Sequence, residues 1–194
     1  MSRVPTKMPQ QQGFQDSIVL DYFDDLDRRW CLRVKALSRR RSICSFFTTI
    51  SRLGDYSIWV VLGLVCMLQP SVTVSVLLPH ALLMAGIGVL VYKLLKNRLV
   101  RERPFIRHGE IVCAAAPLDR YSFPSGHTLH AVAFAILYGS YVPLMLWLLV
   151  PLAGLIAASR VILGLHYPSD VLVGGTIGAT LAVSSINVVN ALAL

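Results

Sequence analysis

Three long stretches of the chain contain no charged side chain, and this feature limits the folds open to it more than any other. The stretches cover residues 56–92, 121–159 and 171–194. A helix of about 20 apolar residues crosses the hydrocarbon core of a bilayer. The first two stretches are therefore each long enough for two helices, and the third is long enough for one. With 55% hydrophobic and 14% charged residues, the composition is typical of a membrane protein rather than of a soluble domain.

We predict an all-α fold, a polytopic membrane helical bundle with about five transmembrane helices. The predicted spans are residues 56–70, 72–93, 126–140, 142–160 and 171–192. Counting the crossings places the polar segments 93–125 and 160–170 on the same side of the membrane. We expect one membrane-embedded domain, residues 51–194, after a polar N-terminal segment, residues 1–50. The charged start of the chain does not resemble a secretory signal, so the first span is expected to direct insertion.

The N-terminal segment is predicted to contain one helix. Residues 1–15 are polar and are expected to be mobile. Between Asp16 and about Leu37, apolar residues recur at helical spacing with charged residues between them. This pattern is typical of an amphipathic helix lying on the membrane surface. It is equally compatible with a helix packed against the protein's own loops, and the sequence does not choose between the two.

The positive charges are distributed unevenly. The net charge is +8, with ten of the eighteen Lys and Arg residues in residues 1–52, seven between Lys93 and Arg120, and the last at Arg160. In the five-span arrangement all of them lie on one side. Since Lys and Arg near span ends are retained in the cytoplasm, that side is predicted to be cytoplasmic. In a membrane protein such charge indicates contact with anionic lipid rather than with nucleic acid.

The first cluster of residues that could bind a ligand or take part in catalysis is the basic segment 96–104, which reads KNRLVRERP. It contains four cations: Lys96, Arg98, Arg101 and Arg103. Taken alone, a basic segment next to a span is typical of a topology signal. The four cysteines of the chain contain no CxxC pair and so indicate neither a metal site nor a disulfide scaffold.

The second cluster, residues 123–127, lies immediately before the third predicted span and reads FPSGH. A Ser-Gly pair that opens a helix leaves backbone N–H groups free at the positive end of the helix dipole, where a phosphate binds well. The alternative is that Ser125 is an ordinary N-cap.

The third cluster lies between the fourth and fifth spans and contains Ser159, Arg160, His166 and Asp170. An imidazole and a carboxylate four residues apart can reach hydrogen-bonding distance if the chain turns, although Pro168 argues against a regular helix through the segment. Alternatively, Asp170 is a helix N-cap and His166 is a structural residue at the interface. The presence of all three clusters on one membrane face favours an active site.

These clusters resemble the three motifs of the type 2 phosphatidic acid phosphatase superfamily. The family patterns are KxxxxxxRP, PSGH and SRxxxxxHxxxD. They correspond here to Lys96 with Arg103-Pro104, to residues 124–127, and to Ser159-Arg160 with His166 and Asp170. The order and the internal spacing both agree. The resemblance covers residues 51–194 and leaves residues 1–50 outside it.

The resemblance implies a hydrolase that acts on a lipid phosphate or lipid pyrophosphate. It makes His166 the nucleophile, Asp170 its orienting partner, and His127 the acid that protonates the leaving group. It also implies five residues that hold the phosphate oxygens: Lys96, Arg103, Ser125, Gly126 and Arg160. Cations in these roles make a metal or other cofactor unnecessary. A packing role is expected for His130, and no function is assigned to His80.

The implied protein is a multi-pass protein of the cell membrane, most simply the inner membrane of a bacterium. Candidate substrates are phosphatidylglycerophosphate, phosphatidate and polyprenyl diphosphates. Three other functions stay open: hydrolysis of a soluble phosphate ester, a vanadium-dependent oxidase that shares the anion site, and a non-catalytic membrane protein that retains the fold. The last would be expected to have lost a motif residue, and none is missing. The sequence makes no prediction of oligomeric state.

Overall fold

The computed structural model describes residues 18–111 and 120–192, and within them the backbone is almost entirely helical. The described α-helices are α1 (Ile18–Ser38), α2 (Arg41–Leu53), α3 (Tyr56–Met67), α4 (Val74–Arg98), α5 (Pro104–Arg107), α6 (Gly126–Tyr141), α7 (Leu146–Ile162) and α8 (Pro168–Leu192). A short 3-10 helix, Pro143–Met145, precedes α7. The prediction of an all-α bundle is confirmed. The segment 1–15, predicted to be mobile, lies outside the described residues.

Helix α6 is the central helix of the bundle. It packs against α3, α4, α7 and α8, and its side chains from Thr128 to Gly139 are mostly buried. The α6–α8 contact is very close because glycines in α8 face the α6 backbone. A Cβ atom added at Gly174 would lie 2.5 Å from the backbone oxygen of Ser125, and one at Gly178 would collide with the Leu129 carbonyl. We call this contact the glycine seam.

Helices α3, α4, α6, α7 and α8 alternate in direction, as the predicted spans require. At one end of the bundle, Asp55 precedes α3 and contacts His127 in the first turn of α6. At the other end, His80 in the early part of α4 lies 3.1 Å from the hydroxyl of Tyr141 at the end of α6 and 2.9 Å from that of Ser185 in α8. Both nitrogens of His80 therefore have partners far from the predicted site residues.

Three described helices are long and apolar enough to cross a membrane: α4, the 3-10 turn together with α7, and α8. Helices α2 and α3 make a fourth candidate if they form one span bent by 58°. Helix α6 has 16 residues, a length of about 24 Å, which is shorter than the hydrocarbon core of about 30 Å. Each predicted span corresponds to a helix, but the number of five spans is not confirmed.

The outer surface of the bundle is apolar, as expected for contact with lipid. Large side chains on several helices are more than half exposed, among them Leu82, Leu90, Trp147 and Leu172. In a soluble protein these side chains would have to be covered by another surface, whereas in a bilayer the acyl chains cover them. The chain is a membrane protein.

Several boundaries differ from the predictions for local physical reasons. Helix α4 continues to Arg98, beyond the predicted end of the span at residue 93, because Lys and Arg are good helix formers outside the hydrocarbon. Helix α8 begins at Pro168 rather than at residue 171. Proline is well suited to the first position of a helix, where its missing N–H has no partner to lose. The sequence also did not predict α2 as a separate helix.

Helix α1 makes the packing contacts that one of the two interpretations of the N-terminal helix predicts. Helix α1 packs against α2, α7 and α8, and the buried acid Asp27 binds to the loop that follows α4. Trp30 and Leu37 remain about half exposed on its outer side. Helix α1 is therefore attached to the protein itself, at the end of the bundle that contains the predicted site residues.

Candidate active site

The three sequence clusters meet at a cavity of about 280 Å³ at one end of the bundle. Six of the eight predicted site residues line it: Lys96, Arg103, Gly126, His127, Arg160 and His166. The other two, Ser125 and Asp170, are fully buried behind this lining. The lining also includes aromatic residues of α3 and α4, Tyr56, Trp59 and Tyr92, and the further cation Lys93. An anionic group next to an apolar chain would suit such a lining.

His166 lies in the tight turn between α7 and α8. The backbone N–H groups of Leu165 and His166 both donate to the carbonyl of Arg160, each at 3.0 Å. The turn passes through Gly164, whose φ of 70° is in the left-handed region that favours glycine. This geometry reverses the chain directly after α7 and places His166 against the start of α8.

The two nitrogens of His166 face different partners. Nδ1 lies 3.5 Å from Oδ2 of Asp170 and makes no hydrogen bond within the described part of the chain. Nε2 lies 3.4 Å from the guanidinium of Arg103, on the cavity side. Burial, together with the positive charges of Arg160, Arg103 and Lys96, holds the pKa of His166 well below its usual value. The imidazole is therefore neutral at pH 7, with a lone pair available on one nitrogen.

Asp170 lies in the first turn of α8 and is held by several donors. Its Oδ2 accepts the backbone N–H of Tyr167 at 2.9 Å, and its Oδ1 accepts a hydrogen bond from Arg101 at 2.7 Å. Its backbone carbonyl accepts the N–H of Ser125 at 3.1 Å. Asp170 is thus not the N-cap of α8, the alternative considered above, but reaches back to the residue that precedes the helix, as in a capping box.

The cavity receives cations from three different elements. Lys96 lies in the last turn of α4, with its ammonium 5.6 Å from the ring centre of Tyr92. Arg103 donates to the carbonyl of Leu165 at 2.7 Å, and Arg160 donates to the hydroxyl of Ser51 on α2. All three side chains are buried. A planar guanidinium can bind two oxygens of a phosphate at once, while an ammonium acts as a point charge.

The first turn of α6 points toward the same cavity. The hydroxyl of Ser125 pairs with the hydroxyl of Thr128 at 3.0 Å and makes no N-cap hydrogen bond to the backbone. Gly126 lines the cavity beside the ring of Tyr92. The helix therefore presents the positive end of its dipole to the cavity without a side-chain cap, an arrangement suited to an anion.

His127 has a carboxylate partner that the sequence analysis did not identify. Its Nε2 lies 2.9 Å from Oδ1 of Asp55, which occupies the break between α2 and α3. Burial and the positive charge of Arg160 lower the pKa of His127, and the Asp55 carboxylate acts in the opposite direction by stabilising the protonated imidazole. The signal available in the sequence was a lone acid directly before an apolar stretch.

Arg101 is a second residue whose position the sequence did not predict. It lies in the first motif but outside the family pattern, and its guanidinium contacts Asp24, Asp27 and Asp170 at 2.7–2.8 Å. These three carboxylates raise the pKa of Arg101 despite its burial. The sequence signal was the pair of acids one helical turn apart on α1.

His130 lies one turn after His127 and packs among aromatic rings. Its Nδ1 lies 2.8 Å from the carbonyl of Gly126, and its ring stacks on Phe134. The rings of Tyr56 and Tyr92 meet it edge-on. These contacts agree with the predicted packing role.

Comparison with known proteins gives relatives that act on lipid phosphates. The decaprenylphosphoryl-5-phosphoribose phosphatase of Mycobacterium tuberculosis (strain CDC 1551 / Oshkosh) is 34% identical over 155 residues, which cover 75% of this chain and 80% of that protein. The lipid A 1-phosphatase of Rhizobium johnstonii is 34% identical over 94 residues, which cover 46% of this chain and 38% of that protein.

Two crystal structures share the fold. One is the transmembrane PAP2 type phosphatidylglycerolphosphate phosphatase from Bacillus subtilis, with a TM-score of 0.67 and 24% identity over 89% of this chain and 87% of that one. The other is Aquifex aeolicus LpxE, with a TM-score of 0.68 and 24% identity over 90% of this chain and 98% of that one. The family model described as the PAP2 superfamily matches residues 77–193. With more than half of its length covered by that match, the chain belongs to the PAP2 superfamily.

Proposed function

We propose that this chain is an integral membrane phosphatase that hydrolyses a lipid phosphate or lipid pyrophosphate through a phosphohistidine on His166. The observation that carries the proposal is the single cavity in which His166, His127 and three buried cations meet. The names of the relatives support a lipid phosphate as the substrate class. The apolar outer surface of the bundle supports delivery of that substrate from the bilayer.

In the first step the phosphoryl group moves to His166. Nε2 of His166 attacks phosphorus while the bond from phosphorus to the leaving oxygen breaks, and His127 donates its proton to that oxygen. The carboxylate of Asp170, 3.5 Å from Nδ1, orients the ring and stabilises the positive charge that develops on it, the two atoms closing to a hydrogen bond as that charge forms. Lys96, Arg103 and Arg160, with the start of α6, balance the charge on the three equatorial phosphate oxygens.

In the second step water releases the phosphate. His127, now neutral, takes a proton from a water molecule whose oxygen attacks the phosphorus of phosphohistidine. The bond from phosphorus to Nε2 breaks, inorganic phosphate leaves, and both histidines return to their starting states. Since His127 changes protonation twice in each cycle and His166 must begin neutral, the two residues need different surroundings.

We infer further that the reaction needs no metal ion, because protein cations already surround the phosphate position. Activity should survive EDTA, and a strict requirement for a divalent ion would overturn this part of the proposal. Vanadate, whose trigonal-bipyramidal form resembles the transition state, should compete with substrate. Hydrolysis that is unaffected by millimolar vanadate in the absence of competing phosphate would contradict the geometry assigned to the site.

The decisive experiment is a phosphate-release assay with purified protein in detergent, combined with trapping of the intermediate. The substrates are phosphatidylglycerophosphate, phosphatidate, polyprenyl mono- and diphosphates and decaprenylphosphoryl-5-phosphoribose, with a water-soluble phosphate ester for comparison. The expected result is turnover of at least one lipid in preference to the soluble ester. A protein-bound phosphoryl group that is stable to base and labile to acid should appear, as expected for a phosphoramidate. Turnover of the soluble ester alone would overturn the assignment to lipids.

We also propose that the active site faces the cytoplasm. The ten Lys and Arg residues in residues 1–52 lie outside the three motifs, so the motifs do not explain their position. Helix α1, which contains several of them, binds at the active-site end of the bundle. The site and the cations of α1 therefore lie at the same end of the bundle.

Reporter fusions after Leu194 test this orientation in a bacterial host. Helix α8 leads away from the active-site end, so the C-terminus should be outside the cytoplasm. A fused alkaline phosphatase should then be active and a fused green fluorescent protein dark. The reverse pattern would place the active site on the outer face and would favour lipids that are recycled there.

A further inference from the structure

Helix α1 lies outside the residues that match the family model, 77–193, yet two of its acids bind beside the proposed nucleophile. One nitrogen of the Arg101 guanidinium, Nη2, contacts Oδ1 of Asp24 at 2.7 Å and Oδ2 of Asp27 at 2.8 Å. The other nitrogen, Nη1, contacts Oδ1 of Asp170 at 2.7 Å. The planar guanidinium thus connects α1 directly to the first turn of α8.

Asp27 also binds the first turn of α8 directly. Its Oδ1 accepts the backbone N–H of Ser169 at 3.0 Å, and its Oδ2 accepts the hydroxyl of Ser169. The first N–H groups of a helix have no partner within the helix, so Asp27 supplies from α1 an acceptor that α8 lacks. Ser169 is the residue directly before Asp170. Asp27 therefore fixes both the cation that holds the Asp170 carboxylate and the backbone from which Asp170 extends.

The two acids of α1 are not equivalent. Asp24 is partly exposed, and it pairs with Arg107 at 2.5 Å as well as with Arg101. Burial alone would raise the pKa of Asp24, but Arg101 and Arg107 together keep it below its usual value. Asp27 is buried, at 4% exposure, and it binds Arg101 and Ser169. Because solvent cannot replace the contacts of a buried acid, Asp27 is expected to fix the positions of Arg101 and Ser169 more strictly than Asp24 fixes those of its partners.

Arg101 is held in one orientation from three sides. Its guanidinium lies 4.0 Å from the ring centre of Tyr167, with the α1 acids at one nitrogen and Asp170 at the other. Without its contacts to the acids of α1, the guanidinium can rotate over the ring of Tyr167. Oδ1 of Asp170 then loses a donor of fixed position. Oδ2 of Asp170 is the atom that faces Nδ1 of His166. Loss of Asp27 would therefore change the orientation of His166 indirectly, through Arg101 and Asp170.

We propose that Asp27 is a positioning residue for the reaction: through Arg101 and the backbone of Ser169 it holds Asp170 where Asp170 can orient His166. This inference rests on the roles proposed above for Asp170 and His166. Its consequence is that α1 belongs to the catalytic unit, although it lies outside the family match.

The test compares Asp27→Asn with Asp25→Asn in the full-length protein in detergent. Asp25 lies on the same helix, but it pairs with Arg29 on the surface of α1 and does not contact Arg101. Asparagine keeps the size of Asp27 and an acceptor for Ser169 but removes the charge that Arg101 binds. We expect Asp27→Asn to lower kcat on the order of 10- to 100-fold with little change in KM, because Lys96, Arg103 and Arg160 are untouched. Asp25→Asn should behave as the wild type.

The inhibition constant of vanadate separates positioning from loss of structure. A residue that orients His166 contributes more to the transition state than to the bound substrate. In Asp27→Asn the inhibition constant should therefore rise in parallel with the loss of kcat, while KM stays constant. Equal kcat values for the two variants would overturn the inference, as would a loss confined to KM. A loss of kcat with unchanged vanadate affinity would overturn it too.

A second variant covers the possibility that Asp27→Asn does not fold. Arg101→Lys keeps the positive charge but cannot reach the acids of α1 and Asp170 with one planar group, so it should show the same fall in kcat and the same rise in the vanadate constant. Wild-type activity in Arg101→Lys would contradict the inference. Failure of the proposed function is distinguishable, because the wild type would then release no phosphate, or His166→Ala would remain active.

Discussion

The two histidines of the cavity each have an aspartate partner, but their surroundings differ. His166 is 1% exposed and its partner Asp170 is fully buried. His127 has a side chain that is 14% exposed, and its partner Asp55 is 48% exposed. The first pair is almost closed to solvent, with His166 alone reaching the cavity, whereas the second pair opens to the cavity and to the surface.

This difference agrees with the two roles proposed for the histidines. A nucleophile needs a constant orientation and a free lone pair, which burial among cations and a fixed carboxylate provide. A proton donor must exchange its proton in every cycle, and contact with water makes that exchange fast. The following predictions test this contrast, from the largest expected effect to the smallest.

Replacing the buried histidine should abolish the reaction. His166→Ala should lower kcat by at least about 10⁴-fold, because it removes the imidazole that accepts the phosphoryl group in the proposed mechanism. Phosphate release by folded protein in detergent, together with the loss of the trapped phosphoryl group, is the measurement. His80→Ala at the opposite end of the bundle is the control and should remain active. Full activity of His166→Ala would remove the basis for the proposed mechanism.

Replacing the more exposed histidine should have an effect that depends on the leaving group. His127→Ala should lower kcat for a lipid phosphate by about 10²- to 10⁴-fold, the usual contribution of a general acid. An activated aryl phosphate needs little protonation of its leaving oxygen, so its formation of phosphohistidine should be much less affected. The burst of released phenol reports this step. Equal losses on both substrates would show that His127 is not the acid.

Replacing the half-exposed carboxylate should have a smaller effect that changes with pH. In Asp55→Asn the protonated form of His127 loses the charge that stabilises it, so the imidazole should release its proton at a lower pH. The basic limb of kcat/KM should therefore move to lower pH by about one unit, with a loss of about 3- to 10-fold at pH 7, limited because solvent screens the pair. A pH profile with an unchanged basic limb would show that Asp55 does not influence the protonation of His127 during the reaction.

Acidification should leave His166 neutral over a range in which an ordinary histidine becomes charged. The pKa of His166 lies well below the usual 6.5, so between pH 7.5 and 6.5 the free enzyme should keep its nucleophile. The measurement is the imidazole nitrogen chemical shift in ¹⁵N-labelled protein without substrate, assigned with His166→Gln. The signal should stay that of a neutral ring until the pH is below 6.5. Titration at or above that value would contradict the electrostatic account of the buried pair.

The sequence predicted which residues gather at the cavity better than the contacts that they make there. His166 and Asp170 are four residues apart, and the turn at Gly164 with Pro168 at the start of α8 makes their approach a local property of the chain. Lys96, Arg103 and Arg160 were identifiable because their spacing matches the family patterns. Eight predicted residues lie in or behind one cavity for these reasons.

The unpredicted contacts depend on the three-dimensional arrangement of helices. Asp55 and His127 are 72 residues apart in the chain, and Asp27 and Ser169 are 142 apart. A lone acid beside a span has many possible partners, and helical periodicity does not say which one it meets. Composition does not fix the number of membrane spans for a similar reason. Helix α6 is apolar because it is buried by other helices, and a buried helix and a spanning helix share that composition.

The glycine seam has a consequence for how such a site can change over time. Because Gly174 and Gly178 bring α8 against the α6 backbone, the distance between the second and third motifs is set by two backbones in direct contact. Residues outside the seam take no part in setting that distance. Under the function proposed above, substitutions among residues that neither form the seam nor belong to the motifs should change which headgroup is accepted while the frame between α6 and α8 is kept.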